Sequence, residues 1–261
     1  MRFLFLGDVV GKPGYSGVLA RTAELRKQHR LDAVVVNAEN AADGAGLMPR
    51  QYRRLIEAGV DAMTMGDHLY RRKEIIPILQ SSQRIVRPAN FPESSSGRTW
   101  TVVQTSGGKL GVISLLGRVF MRPVDCPFAA VDTALSEMEA ENPRCILVDV
   151  HAEATSDKQV LGRYLDGRVT AVLGTHTHVP TADSCVLPGG TAFQCDVGMS
   201  GPYDSIIGRD IKRVTNATIS FEPSHFHVAT RDVRLCGAII EADGEGKAIS
   251  IERFEDRIET Q

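Results

Sequence analysis

The chain has 261 residues, of which 43% are hydrophobic and 24% are charged, as is typical of a globular protein that buries a large core. Its formal net charge is −2 and no basic stripe runs along it, which excludes a general nucleic-acid binder, so no stable nucleic-acid complex is expected. Because the sequence has neither a polar linker nor an internal repeat, we predict one domain over residues 1–261.

The N-terminus reads MRFLFLGDVVG, in which four consecutive apolar residues precede Gly7 and Asp8. This run is too short for a signal peptide or a membrane span, so no membrane association is expected. The cysteines are odd in number and form no CxxC pair; they are Cys126, Cys145, Cys185, Cys195 and Cys236. We predict reduced, mostly buried thiols in a cytoplasmic protein.

Short apolar runs alternate with amphipathic segments along the first part of the chain. Strands are predicted at RFLFLG (2–7), LDAVVVNAEN (31–40), VDAMTMGDH (60–68) and RIVR (84–87). Helices are predicted at 16–29, 49–59 and 72–81. Because the apolar runs are continuous rather than alternating, they indicate parallel strands buried on both faces, as in an α/β fold.

The middle of the chain begins with a predicted β-hairpin over residues 99–117, with Gly107 and Gly108 at its turn. A helix (128–142), a strand (144–150), a second helix (156–167) and a second strand (169–174) are predicted to follow. Beyond about residue 190 the pattern predicts mainly β-structure, including an alternating stretch over 215–254 with a hairpin turn at 242–247.

Polar side chains that can bind a metal follow five of the predicted strands. They are Asp8, Glu39 and Asn40, Asp67 and His68, His151, and the two histidines of GTHTHV, His176 and His178. In open α/β sheets ligands bind beyond the carboxyl ends of the strands, where loops from separate strands converge. We therefore expect these side chains to meet at one edge.

Each of these residues taken alone has a simpler interpretation. Asp8 and Asn40 fit ordinary turns, the Asp67–His68 pair fits a tight turn, and a lone His151 fits a structural role. Glu39 is the sharpest signal, because a glutamate that ends an apolar strand is seldom buried without a partner or a cation. It is the combination of these residues that indicates a metal site.

Other candidates have weaker support. His225 and His227 repeat the H-x-H pattern but fall in the alternating stretch, so we expect them on one face of a strand and not as ligands. Arg118 is a candidate contact to a substrate phosphate, with a surface ion pair as the alternative. Ser200 and Tyr203 lie in a glycine-rich segment (196–208) that fits either phosphate binding or an ordered loop or subunit contact, which leaves a homo-oligomer open.

The chemistry of the strand-end set favours transition metals. Carboxylates, one amide and imidazoles, without thiolates, suit iron, manganese or zinc better than a structural zinc cluster. Three carboxylates, one amide and three of the four imidazoles make seven ligands, which are too many for one ion and fit two, with one carboxylate as the bridge. Two ions about 3.5–4 Å apart form a clamp for in-line displacement at phosphorus.

Five sequence blocks resemble those of the calcineurin-like metallophosphoesterases, and within them the YmdB-type bacterial phosphodiesterases. In chain order they are GDVVG, NAEN, MGDH, VDVHAE and GTHTHV, and the likeness extends to SLLGRVFM and CDVGMSGPYDSIIG. The resemblance runs nearly end to end and implies an α/β sandwich of two mixed β-sheets flanked by helices. It also accounts for Val10, since the YmdB-type branch lacks the histidine that the wider superfamily has there.

The resemblance implies which residues bind each of the two metals. One metal would be held by Asp8, Glu39, Asn40 and His178, and the second by Glu39, Asp67, His151 and His176. Glu39 would bridge the two ions, and His68 would be the catalytic proton donor. Asp67 departs from the family, which usually has asparagine there; the extra carboxylate is expected to tighten the second metal.

The function implied is a dinuclear phosphodiesterase that hydrolyses 2′,3′- or 3′,5′-cyclic nucleotides by attack of a hydroxide held between the metals. The expected ions are iron, with manganese as the alternative, and the expected partner is a small phosphodiester substrate. Two alternatives stay open: a phosphomonoesterase or protein phosphatase of the same superfamily, and a regulatory protein that binds metal or nucleotide without turnover. The presence of a proton donor, His68, argues against the second alternative.

Overall fold

The structure is a computed structural model that describes residues 1–258. Its helices are α1 (Gly11–Gln28), α2 (Pro49–Glu57), α3 (Ile76–Ser81), α4 (Pro127–Met138), α5 (Thr155–Tyr164) and α6 (Ile211–Ser220). Its strands are β1 (Arg2–Leu6), β2 (Ala33–Asn37), β3 (Ala62–Thr64), β4 (Ile85–Val86), β5 (Trp100–Thr105), β6 (Gly108–Leu116), β7 (Cys145–His151), β8 (Ala171–Thr175), β9 (Cys185–Val186), β10 (Ala192–Gln194), β11 (Gly201–Pro202), β12 (Val233–Ala242) and β13 (Ala248–Arg257).

The strands form two mixed sheets. The first, seven-stranded, has the order β11-β12-β1-β2-β3-β4, with β13 paired to β12. Strands β1 to β4 are parallel, as their continuous apolar sequences predicted, whereas β12 runs antiparallel to β1. The second sheet, six-stranded, has the order β5-β6-β7-β8-β10-β9, in which β5 and β6 form the predicted hairpin and β6, β7, β8 and β10 are parallel.

The two sheets pack face to face around a shared apolar core. Phe3 and Phe5 of β1 contribute to this core from the first sheet, and Leu147 and Leu173 contribute from the second. Helices α1 and α2 cover the outer face of the first sheet, and α4 and α5 cover the outer face of the second. The prediction of two mixed sheets flanked by helices is confirmed, and the sandwich brings the carboxyl ends of β1, β2, β3, β7 and β8 to one region.

The C-terminal part differs from its prediction in one segment. Residues 215–220, predicted as β-structure, belong to helix α6, and the stretch that holds His225 and His227 is an exposed loop rather than a strand. The alternating β-branched residues were misleading, because Asp210 caps the helix through a 2.9 Å bond from the Arg213 backbone N–H. Strands β12 and β13 do form the predicted hairpin.

The cysteines are unpaired; Cys145, Cys195 and Cys236 are buried, and Cys126 and Cys185 are exposed. Within residues 1–258, none of the helices combines the length and the apolar character needed to cross a bilayer.

Candidate metal centre

The strand-end side chains predicted from the sequence do meet at one edge of the sandwich. Asp8 follows β1, Glu39 follows β2, and Asp67 follows β3, all from the first sheet. His151 ends β7 and His176 follows β8, so the second sheet supplies imidazoles to the same point. The cluster therefore spans the two sheets.

Gly66 shows how tightly these groups are packed. A Cβ atom placed on this residue would lie 2.3 Å from Glu39 Oε2 and 2.5 Å from His151 Nε2. Real side chains cannot approach that closely, so the residue before Asp67 must be glycine for the two sheets to share the cluster.

One group of ligand atoms gathers around Nε2 of His151. This nitrogen lies 3.2 Å from Asp67 Oδ1, 3.0 Å from His176 Nδ1 and 3.3 Å from Glu39 Oε1. The four residues are the set that the family resemblance implied for the second metal. Their nitrogen and oxygen atoms face one another, and among residues 1–258 neither lysine nor arginine pairs with the carboxylates.

A second group of acceptors gathers around the side-chain nitrogen of Asn40. Its Nδ2 is 2.9 Å from Glu39 Oε1, 3.3 Å from His178 Nε2 and 3.5 Å from Asp8 Oδ1. The amide hydrogens of Asn40 point toward these three acceptor atoms, and a cation could bind in the same position. Rotation of this amide by 180° would present its oxygen, the atom able to bind a metal, to the same group.

Among residues 1–258, the buried carboxylates of this cluster have no lysine or arginine partner, and the basic groups that face them are imidazoles. Asp8 and Glu39 are fully buried, and in residues 1–258 no lysine or arginine comes within 4.0 Å of either carboxylate. Burial disfavours the charge of Glu39, but His151 and His68 outweigh it and hold its pKa well below the ordinary value. Such a donor set fits metal ions, because buried anions require a counter-charge.

The hydroxyl of Thr175 orients the His151 ring from the side opposite the cluster. Thr175 Oγ1 donates to Asp149 Oδ1 at 2.7 Å and lies 2.9 Å from His151 Nδ1. Since the hydroxyl has one hydrogen, it accepts from Nδ1–H, and Nε2 faces the cluster. Burial raises the pKa of Asp149 to about 6. Burial alone would lower the pKa of His151, but the neighbouring carboxylates outweigh it and raise that pKa well above its ordinary value.

The H-x-H segment has a strained backbone. His176 and His178 have φ angles of 95° and 66°, a region that residues other than glycine seldom adopt. Between them, Thr177 is bonded through its backbone and its hydroxyl to Asp196, which in turn pairs with Lys158. This buried anchor holds the loop in the conformation that turns each imidazole toward a different ligand group.

His68 lies at the rim of the cluster, with 27% of its side chain exposed. Its Nδ1 is 2.7 Å from Asn40 Oδ1, and its backbone N–H donates to Glu39 Oε2 at 3.1 Å. The side-chain contact of His68 Nδ1 with Glu39 Oε1, at 3.3 Å, raises the pKa of His68 against the effect of burial. It borders a cavity of about 370 Å³ together with His176 and His178, so a protonated His68 can reach a molecule bound there.

The weaker substrate candidates are not brought to this cavity. Arg118 is exposed and its backbone N–H, not its guanidinium, binds Asp157. The Ser200 hydroxyl donates to the Cys236 carbonyl, and the Tyr203 hydroxyl donates to the Met199 carbonyl. His225 and His227, expected to lie outside the ligand set, pack edge to face against each other and line a different cavity.

Sequence reasoning missed two acidic residues near the cluster: Glu153 contacts the ligand His176, and Asp196 binds Thr177 between the two histidines. Glu153 Oε2 lies 3.1 Å from His176 Nε2, and the other nitrogen of that ring faces His151. Asp196 follows strand β10 and so obeys the same strand-end pattern as the ligands, but that short strand was not recognised.

Comparisons with known proteins agree with this arrangement. A family model described as YmdB-like protein matches residues 4–254. The chain is 45% identical over 255 residues to a Bacillus subtilis (strain 168) protein named 2′,3′-cyclic-nucleotide 2′-phosphodiesterase, covering 97% of this chain and 96% of that one.

Two solved structures are similar over nearly the whole chain. One, from Thermus thermophilus, is described as a hypothetical protein; it has a TM-score of 0.92 and 42% identity, covering 98% of this chain and 99% of that one. The other, from Mycoplasma pneumoniae, is described as a novel phosphatase; it has a TM-score of 0.90 and 34% identity, with 98% and 93% covered. The sequence blocks, the fold and these matches agree: the chain belongs to the YmdB-like protein family.

Proposed function

We propose that the protein is a metal-dependent phosphodiesterase that hydrolyses cyclic nucleotides, with 2′,3′-cyclic nucleotides as its first candidate substrates. The observation that carries this proposal is the convergence of three carboxylates and three imidazoles in a chain 45% identical to a protein named for that activity. A small phosphodiester fits the adjoining cavity of about 370 Å³. The proposed location of this activity is the cytoplasm.

The proposed cofactor is a pair of transition-metal ions, with iron preferred and manganese as a substitute. Asp8, Glu39, Asn40 and His178 would hold one ion. Glu39, Asp67, His151 and His176 would hold the other. When bound, such ions would activate water and neutralise charge that develops on the phosphate.

The remaining chemistry falls to His68. A ribose oxygen is a poor leaving group, so it needs a proton as its bond to phosphorus breaks. His68 is partly exposed at the cavity, and the side-chain contact with Glu39 that raises its pKa favours the protonated ring. We assign it the role of proton donor to the departing oxygen.

The test is an assay of the metal-analysed protein on 2′,3′-cyclic AMP, 3′,5′-cyclic AMP and a set of phosphomonoesters. We expect hydrolysis of a cyclic nucleotide that disappears on chelation and returns with added iron or manganese. Hydrolysis of monoesters alone would favour the rival function, a phosphatase, which the Mycoplasma pneumoniae relative supports by its description. Full metal occupancy without hydrolysis of any of these substrates would refute both the phosphodiesterase and the phosphatase.

A further inference from the structure

A larger cavity of about 640 Å³ lies beside the metal centre and has no part in the mechanism above. Its lining includes three cationic side chains, Lys12, Arg72 and Arg209, and one carboxylate, Asp43. Even with neutral histidines, these groups give the cavity a net positive charge. That excess contrasts with the acidic cluster next to it.

The positive charge of this cavity is mostly uncompensated. The guanidinium of Arg209 donates to three neutral backbone carbonyls, those of Asp43, Gly44 and Phe226. Asp43 pairs with Arg72 at 3.4 Å, and within residues 1–258 no carboxylate comes within 4.0 Å of the charged groups of Arg209 or Lys12. Partial burial of the unpaired guanidinium lowers the pKa of Arg209, and an anion in the cavity would relieve that cost.

The cavity and the metal centre share a wall. Arg209 lines both hollows, and its guanidinium packs against Gly44, where an added Cβ would lie 2.5 Å from one of its nitrogens. Asn40 and His178 lie on the other side of this wall, in the smaller hollow. A molecule held at the metal centre by one phosphate therefore has the cationic cavity as its neighbour across Arg209.

We propose that this cavity is a binding site for a second phosphate group of the substrate. The inference rests on the proposed function and narrows it: the preferred substrate is a nucleoside 2′,3′-cyclic phosphate that also carries a 5′-phosphate. The cyclic phosphate is cleaved at the metal centre, and the 5′-phosphate binds to Lys12 and Arg209. The side chains of His225 and His227 line the same cavity and offer further donors.

The kinetic test compares 2′,3′-cyclic AMP with the same nucleotide bearing a 5′-phosphate. We expect kcat/KM to be at least about tenfold higher for the phosphorylated substrate, as one charge-assisted contact would provide. Lys12→Gln should remove most of this preference. Lys27→Gln is the matched control, since it removes the same charge from the other end of α1 and should leave the preference unchanged.

A binding test separates the failure of this inference from the failure of the proposed function. Inorganic phosphate is titrated calorimetrically into the metal-free protein, whose acidic cluster repels anions. We expect binding in the wild type and in Lys27→Gln, and about tenfold weaker binding in Lys12→Gln. Equal binding in all three proteins, or equal kcat/KM for the two nucleotides, would overturn the inference. If phosphate binding depends on Lys12 but no cyclic nucleotide is hydrolysed, the anion site is supported and the phosphodiesterase function is refuted.

Discussion

Thr177 donates its backbone N–H and its hydroxyl to the same oxygen of Asp196, at 3.1 and 2.7 Å. The threonine separates two predicted metal ligands, and each of those has a left-handed backbone that costs about 1–3 kcal/mol. The double hydrogen bond offsets this cost, because it holds the loop in the strained form before any ion arrives. Metal affinity should therefore depend on Thr177 although it is not a ligand.

Exchange of Thr177 tests this directly. Thr177→Val keeps the shape but loses the hydroxyl, so one bond to a buried carboxylate disappears at a cost of about 1–3 kcal/mol. We expect the dissociation constant for Mn²⁺ to rise about tenfold or more, measured by metal content after equilibrium dialysis. Thr177→Ser keeps the hydroxyl and serves as the control. Similar affinity in the Val and Ser variants would contradict the anchoring role.

Lys158→Met should destabilise the fold. Both Lys158 and Asp196 are 1% exposed, so removal of the cation leaves a buried charge unpaired. We expect the free energy of unfolding of the metal-free protein to fall by about 3–5 kcal/mol, as measured by urea denaturation. Arg168→Met breaks an ion pair whose partners are 40% and 44% exposed, and this control should cost less than about 1 kcal/mol.

Metal binding should release protons at neutral pH. Although burial lowers the pKa of His151, Glu39 and Asp67 raise it well above the ordinary value of about 6.5, so the metal-free ring keeps its proton at pH 7. A metal must displace that proton to bind Nε2, and affinity should therefore increase as the pH rises through the elevated pKa. Calorimetric titration of Mn²⁺ in two buffers of different ionisation enthalpy measures the proton count. Identical heats in both buffers would refute this prediction.

Glu39→Gln should reduce the content of both ions, because Glu39 Oε1 faces both ligand groups. His178→Ala should reduce chiefly one, since the His178 Nε2 lies beside Asn40 and Asp8. Elemental analysis of the two variants, prepared in the same way as the wild type, checks the difference. If Glu39→Gln retains full metal content and activity, Glu39 is not the bridge.

His68→Ala should retain both ions and lose about 10²–10⁴ in rate on 2′,3′-cyclic AMP, because the ribose oxygen needs a proton. On bis-p-nitrophenyl phosphate the loss should be much smaller, since p-nitrophenolate leaves without one. The two rates and the metal content are measured on one preparation. Equal losses on both substrates would indicate charge stabilisation rather than proton transfer, and loss of metal would make His68 a ligand.

The sequence predicted the cluster well because the governing rule is topological. Parallel strands of one sheet end at a common edge, so polar residues after its apolar runs meet there, as Asp8 and Glu39 do, and the face-to-face packing of the second sheet adds His151. The departures arise where local and tertiary effects compete. The capping carboxylate of Asp210 overrides β-branched residues in α6, and the positively charged cavity is lined by residues as distant in sequence as Lys12 and His225. Such associations depend on loop paths that no local pattern encodes.

The left-handed backbone of His176 and His178 lowers the stability of the metal-free fold, while the same two side chains are needed to bind metal. Glycine adopts those angles without strain, so glycine at either position would relax the metal-free fold while it deletes an imidazole. Selection for thermal resistance carried out under chelation would therefore drive the loop toward glycine and lose the centre. The same selection with metal present would keep both histidines, because the bound ions favour the folded state. The metal supply during growth would thus decide which residues persist in this turn.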